Sequence, residues 1–308
     1  MAAGNHTVSV FILQSFTQDP WLQGALFCLF FTLFTVALAG NGLIIAAIQR
    51  SPNLHTPMYF FLVNLAVLDM VCTSSILPKV LQSLVADSTI SFGGCLSQMF
   101  FFTWSLSSEL LLFTAMAYDR YLAICRPLHY SSLMSSRACV ALAAFVWSTG
   151  MFNAFLLTGL VLRLTFCGPN LIAHFFCEIP PVLQLSCSPT FLNDVLTITA
   201  DMFLSGLNFL LTMVSYGCII SSILRIRSAE GKNRAFSTCS SHLIVVCVYY
   251  TAVFYAYVSP ASSYSPERSK VAGVLYTALS PTLNPLIYTL RNAEVQRALA
   301  KLLPFCRR

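Results

Sequence analysis

The sequence predicts an all-α fold, a bundle of seven transmembrane helices followed by a short amphipathic C-terminal helix, on three observations. Of 308 residues, 57% are hydrophobic and 9% charged, whereas a water-soluble domain carries about 25% charged residues. The apolar residues fall in long, nearly charge-free blocks, and about 20 such residues cross a hydrocarbon core of roughly 30 Å. The lysines and arginines between the blocks gather on one side of the membrane.

In order, the blocks are Leu22–Ile48, Met58–Lys79, Cys95–Cys125, Ala138–Leu162, Val195–Ile226, Thr238–Val258 and Val271–Leu290. No basic segment and cleavage site precede the first, and its length suits a retained helix that doubles as the insertion signal. The longest connection, Arg163 to Asp194, is too short for a soluble catalytic domain. The expected organisation is one domain over residues 1–308, with an extracellular tail (1–21), the bundle (22–290) and a cytoplasmic helix and tail (291–308).

With the C-terminus in the cytosol, 13 of the 17 lysines and arginines fall inside, and only Lys79, Arg163, Arg268 and Lys270 remain outside. That bias orients the chain in a plasma membrane with its N-terminus outside, and it accounts for the net charge of +6 without a nucleic-acid partner. Asn5-His6-Thr7 fits the N-glycosylation pattern and lies on the outer side.

Four of the twelve cysteines, Cys95, Cys167, Cys177 and Cys187, face the oxidising exterior, where disulfides persist. Four cysteines allow three pairings, and spacing does not choose among them. A metal site with His174 is the poorer reading, since no close C-x-x-C pair is present. Cys306 is either a palmitoyl acceptor beside a basic amphipathic segment or a free thiol.

The third block ends Met116-Ala117-Tyr118-Asp119-Arg120-Tyr121, and Arg120 lies 25 residues past Cys95, about 37 Å along a helix. An ionisable pair at the inner mouth must pair internally or meet polar partners. Asn284-Pro285-Leu286-Ile287-Tyr288 closes the seventh block, with Gly40-Asn41 in the first, Leu65 to Asp69 in the second and Trp147 in the fourth. Together these motifs resemble the rhodopsin-like G-protein-coupled receptors. The olfactory branch is indicated by Leu54-His55-Thr56-Pro57-Met58-Tyr59-Phe60-Phe61-Leu62, Pro127-Leu128-His129-Tyr130, Ser215-Tyr216, Ala235-Phe236-Ser237-Thr238-Cys239-Ser240-Ser241-His242 and Leu290-Arg291-Asn292. One departure is Tyr249-Tyr250-Thr251, where many relatives have Phe-Tyr-Gly.

The resemblance covers essentially the whole chain and implies an odorant receptor. Its ligand would be a small volatile, mostly apolar organic molecule, its signalling partner a stimulatory heterotrimeric G protein that raises cyclic AMP, and its surroundings membrane lipid. A receptor for a small metabolite outside the olfactory epithelium is the alternative. The resemblance also implies bridges Cys95–Cys177 and Cys167–Cys187, and coupling through Asp119, Arg120, Tyr121, Tyr216, Asn284, Pro285 and Tyr288.

Family placement plus helical spacing gives a candidate ligand lining of Met99, Phe102, Thr103, Leu106 and Ser107 from the third helix. The fifth adds Thr197, Ala200, Asp201 and Leu204, and the sixth Tyr250, Val253, Phe254 and Tyr257. Asp201 either faces that cavity or pairs with the outer loop. Asp69 and Glu109 both fall near the bilayer midplane, where two carboxylates share a proton, bind neighbours as neutral acids, or are neutralised by a cation. The resemblance favours a sodium-type site there, and no other cofactor. A proton-relay transporter would need paired halves, which are not evident, and no G-x-S-x-G, H-E-x-x-H or P-loop pattern points to an enzyme.

Overall fold

The computed structural model describes residues 8–257 and 266–302. Asn5, Val258 and Cys306 lie outside the described residues, as do the side chains of Val253, Phe254, Tyr257 and Arg268. The long helices are α1 (Pro20–Arg50), α2 (Pro57–Val85), α3 (Phe92–Cys125), α4 (Ser136–Val161), α5 (Phe191–Arg225), α6 (Ala229–Tyr257) and α7 (266–291). The short α8 (Ala293–Leu302) follows.

Most of these helices start before the apolar blocks, because hydropathy marks the depth of the hydrocarbon core while the backbone ladder continues until something caps it. Asp19 accepts from the Trp21 amide at 2.9 Å and Pro20 occupies the first helical position, so α1 begins at Pro20 and not at Leu22. Ser91 caps α3 through Gly94, and Ser135 caps α4 through Ala138. In α2, Pro78 sits inside the helix, which runs on to Val85, past the Lys79 expected as its end.

Helices α1 to α5 are each long and apolar enough to cross a membrane, and α6 qualifies as two segments bent by 47°. Ser280, Thr282 and Asn284 make α7 more polar, and all three are buried against the bundle. Wide π-helical turns interrupt α5 at Met202–Leu207 and α7 at Leu275–Leu279. Such turns are frequent where a helix bends at a functional site.

The end of the bundle that the charge distribution predicts to face outward, called the outer end below, with the opposite end called the inner one, carries a small sheet. Strand β1 (Val10–Leu13) lies between β2 (Thr89–Ser91), to which it runs antiparallel, and β3 (Leu171–Ile172), to which it runs parallel. Residues 10–13, in the segment expected as a tail, are therefore part of a sheet. Beneath the sheet, Phe11 meets the Phe166 ring edge-on at 5.5 Å, and Phe92 packs 5.9 Å from Phe166. Alternation along β1 explains the burial of Phe11 and Leu13, with Val10 and Ile12 exposed.

Packing within the bundle explains two of the sequence signals. A Cβ at Gly40 would meet the Pro285 ring at 3.0 Å, so glycine lets α1 lie against α7. The neighbouring Asn41 donates to Ala37 O and Pro281 O at 2.9 and 3.0 Å, joining the same helices. Trp147 Nε1 donates to Asn64 Oδ1 at 2.8 Å, tying α4 to α2.

Candidate functional site

Two polar and aromatic regions stand at opposite ends of α3. At the outer end, Cys95 is bonded to Cys177 and Cys167 to Cys187, with Cα separations of 5.4 and 6.0 Å. The first bridge carries residues 174–178 into the top of the bundle, where His174, Phe175, Phe176, Cys177 and Glu178 are all buried. Gln98 holds this segment as well. Its Oε1 accepts from the Cys177 amide at 2.8 Å while its Nε2 donates to Ser75 O at 2.9 Å.

Phe102 sits 5.1 Å from the Phe176 ring and 5.6 Å from that of Tyr276, and Tyr276 donates to Glu178 Oε1 at 3.3 Å. The loop thus places aromatic rings and a carboxylate among the helices of the bundle. Spacing along helices could not find Phe176 or Glu178, which lie in the loop. The available signal was the run His174-Phe175-Phe176-Cys177-Glu178, because a bridged cysteine drags its aromatic neighbours inward.

The other proposed lining residues divide among several surroundings. Met99 belongs to an outer cluster with Leu157, Cys177 and Leu183, against which Ala200 packs. Ser107 accepts from Asn153 Nδ2 at 2.9 Å, so its hydroxyl is engaged with α4. Leu204 and Tyr250 join the central cluster, and Tyr250 lies 5.1 Å from Phe209. Thr103 and Thr197 are buried, Leu106 packs against two clusters, and Asp201 is half-buried. The unusual Thr251 is exposed, turned away from the bundle.

Midway down, both Asp69 oxygens accept from Asn284 Nδ2, at 3.1 and 2.9 Å. Glu109 Oε1 is buried without a hydrogen-bond partner. Among the described residues, no cluster of three or more His, Cys, Asp or Glu side chains could hold a metal.

At the inner end, Asp119 and Arg120 form a buried ion pair. Arg120 Nε donates to Asp119 Oδ2 at 2.9 Å, and Tyr130 donates to the other oxygen at 2.7 Å. Burial first, and then the Asp119 carboxylate, raise the Tyr130 phenol, so it stays protonated and remains a donor. Tyr216 shares a 2.7 Å hydrogen bond with His242 Nδ1 and donates to Cys239 O at 3.3 Å, linking α5 to α6. Tyr121 packs partly buried beside Tyr216, and Tyr288 is buried with its hydroxyl unpartnered.

Arg120, Tyr288, Ser237 and Ser241 share an inner cavity of about 390 Å³ with Tyr59, Asn292 and Glu294. Helix α8 is docked there, because Asn292 donates to the Tyr59 hydroxyl at 2.6 Å while its Oδ1 accepts from the Glu294 and Val295 amides. On α8, Val295 and Ala298 are buried and Gln296, Arg297 and Lys301 exposed, the amphipathic pattern expected of a helix lying along a membrane surface.

A family model described as olfactory receptor matches residues 27–305. Olfactory receptor 13A1 of Homo sapiens is 60% identical over 308 residues, covering 100% of this chain and 94% of that one. Olfactory receptor 13G1 of Homo sapiens is 54% identical over 303 residues, covering 98% and 99%. Olfactory receptor 5AP2 of Mus musculus is 46% identical over 297 residues, covering 96% and 94%. Seven helices, an aromatic cluster beneath a bridged loop, an ion pair at the other end of α3 and these likenesses lead to one conclusion: the chain belongs to the olfactory receptor family, multi-pass membrane receptors that are not enzymes.

Proposed function

We propose that this receptor binds a small, weakly polar volatile at its outer end and signals through a stimulatory heterotrimeric G protein that raises cyclic AMP. The observation that carries the reading is the stack of Phe176, Phe102 and Tyr276 beneath the bridged loop, in line along α3 with Asp119 and Arg120. Aromatic walls with few polar groups favour ligands held by dispersion and one or two hydrogen bonds. The N-terminus is outside and the C-terminus cytosolic, as the positive residues favour.

In the resting arrangement, Asp119, which accepts from Tyr130, occupies Arg120. Agonist packed against α3 and α6 favours a state in which the inner mouth opens and Arg120 meets the G protein. Asp69 and Glu109, with Asn284 beside them, fit one sodium-type cation, since Glu109 Oε1 lacks a partner and a single positive charge offsets buried carboxylates. Bound there, the cation would tie α2 to α3 and favour the resting state.

A cyclic-AMP reporter assay against a broad panel of volatiles and small acids tests the reading. Phe102→Ala removes one aromatic wall, and a fraction of the about 3–5 kcal/mol that such truncations cost in cores weakens an agonist about tenfold. Unchanged dose–response curves at matched surface levels would contradict the outer site, and silence of the unmodified receptor across the panel would contradict the ligand class.

A further inference from the structure

A second cavity, of about 440 Å³, opens between the ends of α1, α2 and α4 nearest the Asp119–Arg120 pair, away from both regions described above. Its walls are apolar, formed by Ile48, Phe60, Val63, Cys139 and Val140. Its lip is polar, formed by Gln49, His55, Thr56 and Ser136, all exposed. Val140 is 59% exposed and marks the side open to the membrane.

None of the lining residues is acidic, and two exposed arginines flank the lip. Arg50 follows Gln49 in sequence and Arg137 follows Ser136. Helices α2 and α4 both begin here, so their positive dipole ends add to the same field. Thr56, at the cap of α2, makes no capping bond with its side chain. Beside hydrocarbon, the natural occupant of such apolar walls is a chain that enters from the bilayer.

We propose that this cavity binds one anionic phospholipid of the cytosolic leaflet. An acyl chain lies along Phe60, Val63 and Val140, and the phosphate sits at the lip between Arg50 and Arg137. The charge complementarity of the lip selects the headgroup, as basic pockets between helices do on cytosolic faces. The assignment to that leaflet rests on the orientation proposed above. The floor residue Met134 donates its amide to Tyr130 O at 2.8 Å, so the occupant lies against the turn that carries the Tyr130–Asp119 hydrogen bond.

Native mass spectrometry of the full-length receptor in detergent, titrated separately with phosphatidylserine, phosphatidylcholine and cholesterol, tests the site without ligand or G protein. Failure of the signalling reading therefore leaves this measurement intact, and accessibility of tags at the two termini reads the orientation separately. One phosphatidylserine should be retained about tenfold more readily than phosphatidylcholine. Soluble glycerophosphoserine, which has the headgroup without chains, should not displace it. The double variant Arg50→Gln with Arg137→Gln should lose the preference, and Val140→Trp, which fills the cavity from its membrane side, should lose the bound lipid while keeping both charges. Both change exposed positions, and an unaltered melting temperature confirms that the fold survives. Equal retention of the neutral phospholipid, preferential retention of cholesterol, displacement by the soluble headgroup, or unchanged retention in both variants would each overturn the proposal.

Discussion

The two ends of α3 are secured by different chemistry. Its outer end is fixed by the Cys95–Cys177 bond, by Gln98 and by a three-stranded sheet that includes the N-terminal segment. At its inner end Asp119 pairs with its own neighbour Arg120, and the hydroxyl of Tyr130 ties that pair to the turn that follows the helix. Covalent bonds and ladder hydrogen bonds do not exchange on the timescale of a signal, whereas ion pairs and side-chain hydrogen bonds do when a partner offers alternatives. The contrast teaches that one end is built to stay and the other to let go.

Cutting the fixed end should have the largest effect. Cys95→Ser frees the second outer loop, at a cost of about 2–5 kcal/mol if the bridge behaves like those of secreted domains. The variant should be largely absent from the cell surface, and normal staining by an antibody to an N-terminal tag would erase the contrast at once.

At the releasable end, Arg120→Ala should reach the surface in measurable amounts yet give no cyclic-AMP response, because it removes the cation that the partner meets. Full output at matched surface density would show that Arg120 is dispensable for coupling.

Tyr130→Phe is a gentler break. It deletes a hydrogen bond to a carboxylate, worth about 1.5–3 kcal/mol, and weakens the resting arrangement without removing Arg120. Basal cyclic AMP should rise several-fold with the agonist response retained. A lower basal level would mean that Tyr130 serves the active state instead.

The smallest effect concerns pH at the outer end. Burial pushes His174 down to about 4, although Glu178 Oε2 lies 3.9 Å from its Nε2. An unfolded imidazole takes up its proton near 6.5, so the folded state binds fewer protons between about pH 6.5 and 4. Its stability is complete above that window and falls as pH drops through it. The melting temperature of purified receptor should hold above pH 7, decline below 6.5, and decline less in His174→Phe. Parallel pH profiles for the two proteins would remove His174 from the account.

The helical class, the long apolar blocks and the motif residues at each end were legible in the sequence, because hydropathy over some 20 residues and short motifs are local properties. Trp147, Gly40 and Asn41 were legible as markers, though their partners Asn64, Pro285 and Pro281 were not. It took the packed bundle to show that residues 10–13 join a sheet with residues 89–91 and 171–172, that Phe176 and Tyr276 flank Phe102, and that Tyr130 closes on Asp119. Each of those contacts joins segments from different turns or loops, and which long-range pair forms depends on how the helices pack, a quantity no single segment carries. The four outer cysteines stand between the two cases: spacing did not choose among their pairings, the resemblance implied Cys95–Cys177 and Cys167–Cys187, and packing sets the Cα atoms of those pairs 5.4 and 6.0 Å apart.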